Sequence, residues 1–170
     1  SKKNEPFFAY LPYYTVHTPF QAVADIVKKY QDKGIKDIKQ ATYAAMVESI
    51  DTNVGGILSM LEAENLADDT LVIFTSDNGG YRMSSFPSPL RAGKGSYYDG
   101  GLRVPLLVRW PDVITPNIEQ TPVINADFYP TLLSFANAEQ PDQELDGMDL
   151  SSLLLGNETI TSRDLFWHFP

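Results

Sequence analysis

The stretch Leu71-Val72-Ile73-Phe74-Thr75-Ser76-Asp77-Asn78-Gly79-Gly80 ends an apolar run in an acid, an amide and two glycines. Asp77 and Asn78 carry side-chain oxygens, and such a pair at the carboxyl end of a buried strand suits a hard cation. Gly79-Gly80 let the backbone turn sharply there. The alternative is a polar turn with no ligand. Directly downstream, residues 82–109 hold Arg82, Arg91, Lys94, Arg103 and Arg109 against the single acid Asp99. Lys94 stands between Gly93 and Gly95, an arrangement in which bare backbone can bring an ammonium close to an anion. The two observations together describe an anion pocket beside a cation site; the alternative is a set of solvated cations.

The charge around this basic stretch has the opposite sign. Residues 40–78 contain seven acids and no Lys or Arg, and residues 110–170 carry ten acids against Arg163 alone. The net charge of −9 argues against general affinity for nucleic acid or anionic membrane, whereas a small anion could enter the local basic pocket. With no cysteine among 170 residues, disulfides, thiolate metal sites and a thiol nucleophile are excluded within the chain. No stretch approaches the roughly 20 apolar residues of a membrane span, and the first residues show no apolar segment of a signal peptide.

The elements that must position these residues are legible as patterns. Phe7–Leu11 reads as a buried strand running into Pro12, and residues 25–39 as a solvated helix and loop. Tyr43, Met46, Val47, Ile50, Val54, Ile57, Leu58 and Leu61 recur at spacings of three and four, which predicts an amphipathic helix. Gly55-Gly56 within it imply a close approach to a sheet. The run at 70–75, without alternation, predicts a strand buried on both faces of a parallel sheet. Residues 79–103 form a long glycine- and proline-rich loop, the kind that is usually functional. Val104–Trp110 is a second strand, Thr121–Asn125 a short one, Asp127–Ala136 a helix opened by Asp127 as its cap, Leu150–Leu155 a helical turn, and Arg163–Phe169 a strand start. The fold class expected is α/β, with a mostly parallel sheet flanked by helices. Arg91 and Arg103 are expected to pair with carboxylates that position the loop, with Asp99 serving one of them. Tyr97-Tyr98 could line a sugar or aryl pocket or simply pack. His168, among aromatics, is expected to be a packed core residue.

Several motifs also occur together in one order: His17-Thr18-Pro19, Ser76-Asp77-Asn78-Gly79, Leu90-Arg91-Ala92-Gly93-Lys94-Gly95, Asp99-Gly100-Gly101-Leu102-Arg103-Val104-Pro105, Asp127-Phe128-Tyr129-Pro130-Thr131-Leu132-Leu133, Asp146-Gly147 and Leu165-Phe166-Trp167-His168. In this the chain resembles type I sulfatases of the alkaline-phosphatase-like superfamily. The resemblance implies a sulfate ester hydrolase in which Asp77 and Asn78 ligate a divalent cation, usually calcium, with magnesium as the alternative. It implies that Lys94 contacts the sulfate group and ester oxygen, and that His17 hydrogen-bonds sulfate near the leaving group. A loop cap is the other reading of His17. The family's formylglycine nucleophile arises in a Cys/Ser-x-Pro-x-Arg motif that this chain lacks. Ser85-Phe86-Pro87-Ser88-Pro89 comes nearest, with proline where arginine is needed.

The chain is therefore expected to be a portion of a sulfatase-like catalytic domain over residues 1–156, with residues 157–170 beginning a small C-terminal subdomain. It is expected to be inactive alone and to need the remainder of the parent domain as its partner. Family resemblance puts the parent in the periplasm, outside the cell or in the lysosome. Aryl and carbohydrate sulfates both stay open as substrates. A phosphomonoester or phosphonate ester hydrolase of the same superfamily and a non-catalytic binding domain are the alternative readings.

Overall fold

The computed structural model describes residues 5–85, 88–157, 159–160 and 163–168. In chain order the elements are helix α1 (Ala24–Asp32), helix α2 (Ile38–Ala63), strand β1 (Val72–Thr75), the short helix α3 (Asp99–Leu102), strand β2 (Leu106–Arg109), a 3-10 turn (Asn125–Asp127), helix α4 (Phe128–Phe135) and the short helix α5 (Ser151–Leu154). They gather into two compact units, Ser1–Met60 with Gly80–Phe86 and Leu61–Gly79 with Pro87–Pro170. The expected boundary after residue 156 falls within the second of these units.

In the first unit, α1 stops where its sequence supplies a glycine. Gly34 takes the left-handed conformation (φ 104°), and the amides of Gly34 and Ile35 return to the carbonyls of Gln31 and Tyr30 at 2.9 and 3.2 Å. The Asp37 carboxylate then caps α2 by accepting the amides of Lys39 and Gln40 at 2.8 and 3.0 Å. Ala41 and Ala45, one turn apart, are fully buried against Val27. Their small side chains let α1 come close, and Ala22, Ile26, Tyr30 and Ile35 close the cluster. The Lys29 ammonium reaches Glu48 of α2 at 2.8 Å.

Two expectations for this unit do not hold among the described residues. Phe7, Phe8, Tyr10 and Leu11 form no strand and are 55–77% exposed. An apolar run becomes a strand only when another backbone pairs with it, and no described segment does. Gly55 and Gly56 approach nothing: a Cβ at either position would meet no atom within 4 Å.

In the second unit, the sheet is two-stranded and antiparallel, with Val72 opposite Arg109 and Thr75 opposite Leu106. The expected parallel arrangement is therefore not the one these strands adopt. A parallel neighbour needs a crossover that carries the chain back to the strand's starting end. Here the connection leaves β1 at Thr75 and re-enters beside it at Leu106. The strands are half-buried rather than covered on both faces. Trp110, just past β2, donates its indole N–H to the Asp68 carbonyl at 2.9 Å and packs edge-on against Phe135 of α4 at 5.3 Å.

Residues 121–124 form no strand; the chain runs into the 3-10 turn and α4 instead. Asp127 stands at the N-cap position of α4 as expected, but it is fully buried and its side chain makes no cap hydrogen bond to that helix. Its carboxylate accepts the amides of Ile124 at 2.8 Å and Met148 at 2.9 Å and pairs with Arg163. Thr131 donates to the Asp127 carbonyl and accepts from the Leu150 amide, at 2.6 and 2.8 Å. One polar cluster thus ties α4, the 147–150 segment and Arg163 together. Residues 163–168 are not a strand, and His168 is exposed beside Phe166 and Trp167 rather than packed. Phe169, the last residue of the expected strand, lies outside the described residues.

Candidate functional site

Thr75 and Leu106 face each other at the end of the sheet, so the connection that carries the chemistry-bearing residues starts and finishes at one place. Its two limbs are joined again beyond the strands. The Gly79 amide donates to the Gly101 carbonyl at 3.0 Å, and the Gly100 amide to the Arg91 carbonyl at 2.8 Å. Gly79, Gly93, Gly100 and Gly101 are buried. A Cβ on Gly101 would lie 2.6 Å from the Gly93 carbonyl oxygen, and one on Gly100 would lie 2.5 and 2.6 Å from those of Ala92 and Arg91. A Cβ on Gly79 would overlap the Gly100 carbonyl. Only glycine permits backbone this close.

The consequence is a short physical path between the two motifs. Asn78 precedes Gly79, Gly79 bonds Gly101, Gly101 lies on Gly93, and Gly93 precedes Lys94. Lys94 is exposed and lies between two left-handed residues, Ala92 (φ 64°) and Gly95 (φ 84°). Asp77 is exposed and Asn78 half-buried. The Ser76 hydroxyl donates to the Asn78 carbonyl at 3.1 Å, which steadies the turn. Among the described residues no cation pairs with Asp77, whose carboxylate accepts a long hydrogen bond from the Ser76 hydroxyl at 3.4 Å.

The donor set fits a hard cation in type. Both side chains offer oxygen, and calcium takes about six to eight oxygens. Among the described residues, no group of three or more His, Cys, Asp or Glu lies together as a metal site. Two oxygen-bearing side chains would fill only part of such a shell.

His17 sits in the first unit and is described there by itself. Its amide donates to the Tyr14 carbonyl at 2.9 Å, and Nδ1 lies 2.9 Å from the Thr18 carbonyl oxygen. A carbonyl can only accept, so Nδ1 carries a proton. Tyr14 also donates to Thr18, at 2.8 Å, and its ring lies 5.3 Å from the imidazole. The ring of an exposed histidine is thereby oriented, with Nε2 left to a substrate or water.

The loop arginines divide. Arg103 lies 3.8 Å from Asp99, one helical turn away, so Asp99 serves Arg103 as expected. Both side chains are about two-thirds exposed, and such a pair contributes little. Arg91 has no carboxylate partner among the described residues. Its guanidinium instead lies over the Tyr98 ring, 3.6 Å from the centroid. The acid-pairing expectation for Arg91 is corrected by this: the one acid of the loop is already held by Arg103. The Arg-x₆-Tyr spacing carries no periodicity that would reveal the stack in sequence.

Known proteins supply the remaining identification. The Sulfatase family model matches residues 1–138. The chain is 44% identical over 187 aligned positions to a sulfatase of Formosa agariphila, an alignment covering 100% of the chain and 34% of that protein. It is 35% identical over 178 positions to the steryl-sulfatase of Rattus norvegicus, covering 98% of the chain and 30% of the relative. Among solved structures it is similar to Ps i-CgsB in complex with k-i-k-neocarrahexaose, at a TM-score of 0.85 and 38% identity over 92% of the chain and 35% of that one. The chain thus spans about a third of the length of these relatives. The fold is that of sulfatases of the alkaline-phosphatase-like superfamily, and with most of its length matched by the family model, the chain belongs to the sulfatase family.

Proposed function

We propose that the complete protein hydrolyses sulfate esters of carbohydrates, and that this chain contributes one wall of the pocket. The observation that carries the proposal is the glycine lock. It ties the Asp77-Asn78 turn to the backbone that presents Lys94, through Gly79, Gly101 and Gly93. A cation ligand pair and an anion-binding ammonium on one rigid support suit a sulfuryl group, whose oxygens and departing ester oxygen carry negative charge as the S–O bond breaks. The carbohydrate assignment is supported by the similarity to Ps i-CgsB, solved with k-i-k-neocarrahexaose.

In this reading Asp77 and Asn78 hold a divalent cation, calcium by preference, which when bound neutralises sulfate oxygens. Lys94 neutralises another oxygen and the bridging ester oxygen as the S–O bond lengthens. A lysine is a compact cation able to follow that charge. His17 keeps a proton on Nδ1 through Thr18. Once doubly protonated, it has an Nε2–H to give to the departing sugar oxygen, and the neutral ring that remains has an Nε2 lone pair to take a proton back. The formylglycine nucleophile and the other metal ligands belong to the remainder of the parent domain, the partner of this chain. Exposed Phe8 (76%) and Tyr10 (77%) support such a partner, because aromatic strand sequence of this kind is normally covered. No described helix is long and apolar enough to cross a membrane. Export to the periplasm, the cell exterior or the lysosome is the location we propose, on family grounds.

The test uses the full-length protein with 4-nitrophenyl sulfate and a sulfated oligosaccharide. Wild type should release sulfate from both. Lys94→Ala should lower kcat by at least about a hundredfold, on the scale of losing one preorganised electrostatic contact. Asp77→Ala should weaken calcium binding measured by calorimetry. Undiminished turnover in Lys94→Ala, or unchanged calcium affinity in Asp77→Ala, refutes the assignment. The isolated chain should show no turnover above buffer.

A further inference from the structure

Arg91 is a cation held in place with no acid among the described residues to neutralise it. Its backbone is pinned by the Gly100 amide, on the same glycine support that carries Lys94. Its guanidinium is stacked on Tyr98, 3.6 Å from the ring centroid, and both residues are exposed. Among the described residues Arg103, Arg109 and Arg163 each have a carboxylate within 4.0 Å, at Asp99, Glu62 and Asp127; Arg82 and Arg91 have none, and of these two Arg91 alone lies over an aromatic ring. Contact with the ring face holds the guanidinium without consuming its N–H groups, which point outward in its own plane. A planar fork with unspent N–H groups, in a stretch of five cations and one acid, matches one kind of ligand: an oxyanion that accepts two parallel hydrogen bonds. The reacting sulfate is already assigned to Lys94 and the cation.

We propose that Arg91, held by Tyr98, binds a second anionic group of the substrate, a sulfate on a sugar ring next to the one being cleaved. This rests on the sulfatase reading above and goes further, since it predicts preference for multiply sulfated chains. Arg91 is then a binding residue for specificity, and Tyr98 a positioning residue that acts through it. A monosulfated ester leaves the fork hydrated; a multiply sulfated chain fills it.

The experiment compares two hexasaccharides of one sugar sequence, one singly and one multiply sulfated, as substrates of the full-length protein. Wild type should favour the multiply sulfated chain through KM. Arg91→Ala should shrink that preference by about tenfold, as expected for losing charge-assisted hydrogen bonds at an exposed site, with the change in KM rather than kcat. Arg91→Lys keeps the charge and the stem but not the fork, and should recover less than half of the preference on a logarithmic scale. Tyr98→Ala should lose preference as Arg91→Ala does. Equal loss on both substrates in Arg91→Ala means that the residue only supports the loop, and overturns the proposal. So does full recovery in Arg91→Lys, which would make the plane irrelevant. Should wild type hydrolyse neither chain, the sulfatase reading fails. Calorimetric binding of the multiply sulfated chain then still decides this proposal, by whether Arg91→Ala weakens it about tenfold or leaves it unchanged.

Discussion

Gly101→Ala is the substitution that strikes most directly at the support of the site. The new Cβ would lie 2.6 Å from the Gly93 carbonyl oxygen and closer still to that of Ser96. Both obstacles are backbone, so no side chain can swing away. Overpacking of this kind costs about 1–3 kcal/mol. Separating the limbs also breaks the Gly79 N–H to Gly101 C=O bond, 3.0 Å long in the native chain, at about 1 kcal/mol. The total is about 2–4 kcal/mol, and it should appear first as local opening of the loop. Hydrogen exchange of the Gly79 amide in the full-length protein reads that opening. At tenfold per 1.4 kcal/mol, exchange should accelerate by roughly 30- to 700-fold. Gly56→Ala is the matched control: its Cβ meets nothing within 4 Å, and alanine in a helix should stabilise by about 0.5–1 kcal/mol. Native-like protection of Gly79 in Gly101→Ala would refute the idea that close backbone contact holds the two motifs together.

Three further outcomes are expected. Asp127→Ala strands the half-buried Arg163 and two amides, and should destabilise the protein by about 3–5 kcal/mol in denaturant titration, as breaking a buried pair does; a loss below 1 kcal/mol would contradict the cluster. Gly95→Ala places a Cβ at φ 84° in open space, so only backbone strain acts, and chemical denaturation should register about 1 kcal/mol. The hydrogen bond from Lys29, followed by that from Tyr30, holds the Glu48 carboxyl below its ordinary value, and Glu48 raises Lys29 in return. Because the acid is depressed, its contribution is present above the unfolded carboxyl pKa and lost as pH falls through the folded one. Because the lysine is raised, its contribution is present below the unfolded pKa and lost as pH climbs through the folded one. In Lys29→Met, an NMR titration of Glu48 should show its pKa rising toward the ordinary range; an unmoved titration refutes the pairing.

How far the sequence could be read depends on whether a feature is local. Helix α2 was visible because a stripe at spacings of three and four is a property of one segment. Helix α4, the turn at Ser151–Leu154 and strand β2 were visible for the same reason. The direction of strand pairing was not. Apolar runs at 70–75 and 104–110 are compatible with either direction. What selects antiparallel is the return of the chain to Thr75, where Leu106 pairs with it and the Gly79 amide bonds the Gly101 carbonyl. Phe7–Leu11 shows the other limit: its composition specifies a strand, yet pairing needs a neighbour that a local pattern does not name. Gly55-Gly56 illustrate that a glycine pair in a helix has no unique meaning, whereas Gly100-Gly101 are pressed against carbonyls.

The same distinction governs the site. Asp77, Asn78 and Lys94 could be singled out by residue type, because oxygen at a strand end and an ammonium between glycines are chemically unusual combinations. The position of Asp127 before Phe128 suggests a helix cap, and it does stand there; only the folded chain brings Met148 and Arg163 to its carboxylate. Arg91 was read as an ion-pair partner because the loop holds an acid. Geometry reversed this by placing Asp99 one helical turn from Arg103 and leaving Arg91 to a tyrosine face. Competition decides such cases: with five cations and one acid in the stretch, most of the cations must find another partner. A side chain left with an aromatic ring and open N–H groups is the one from which a ligand contact follows. That the surplus charge belongs to Arg91 rather than Arg103 is a fact of packing, and it turns a basic stretch into a directional site.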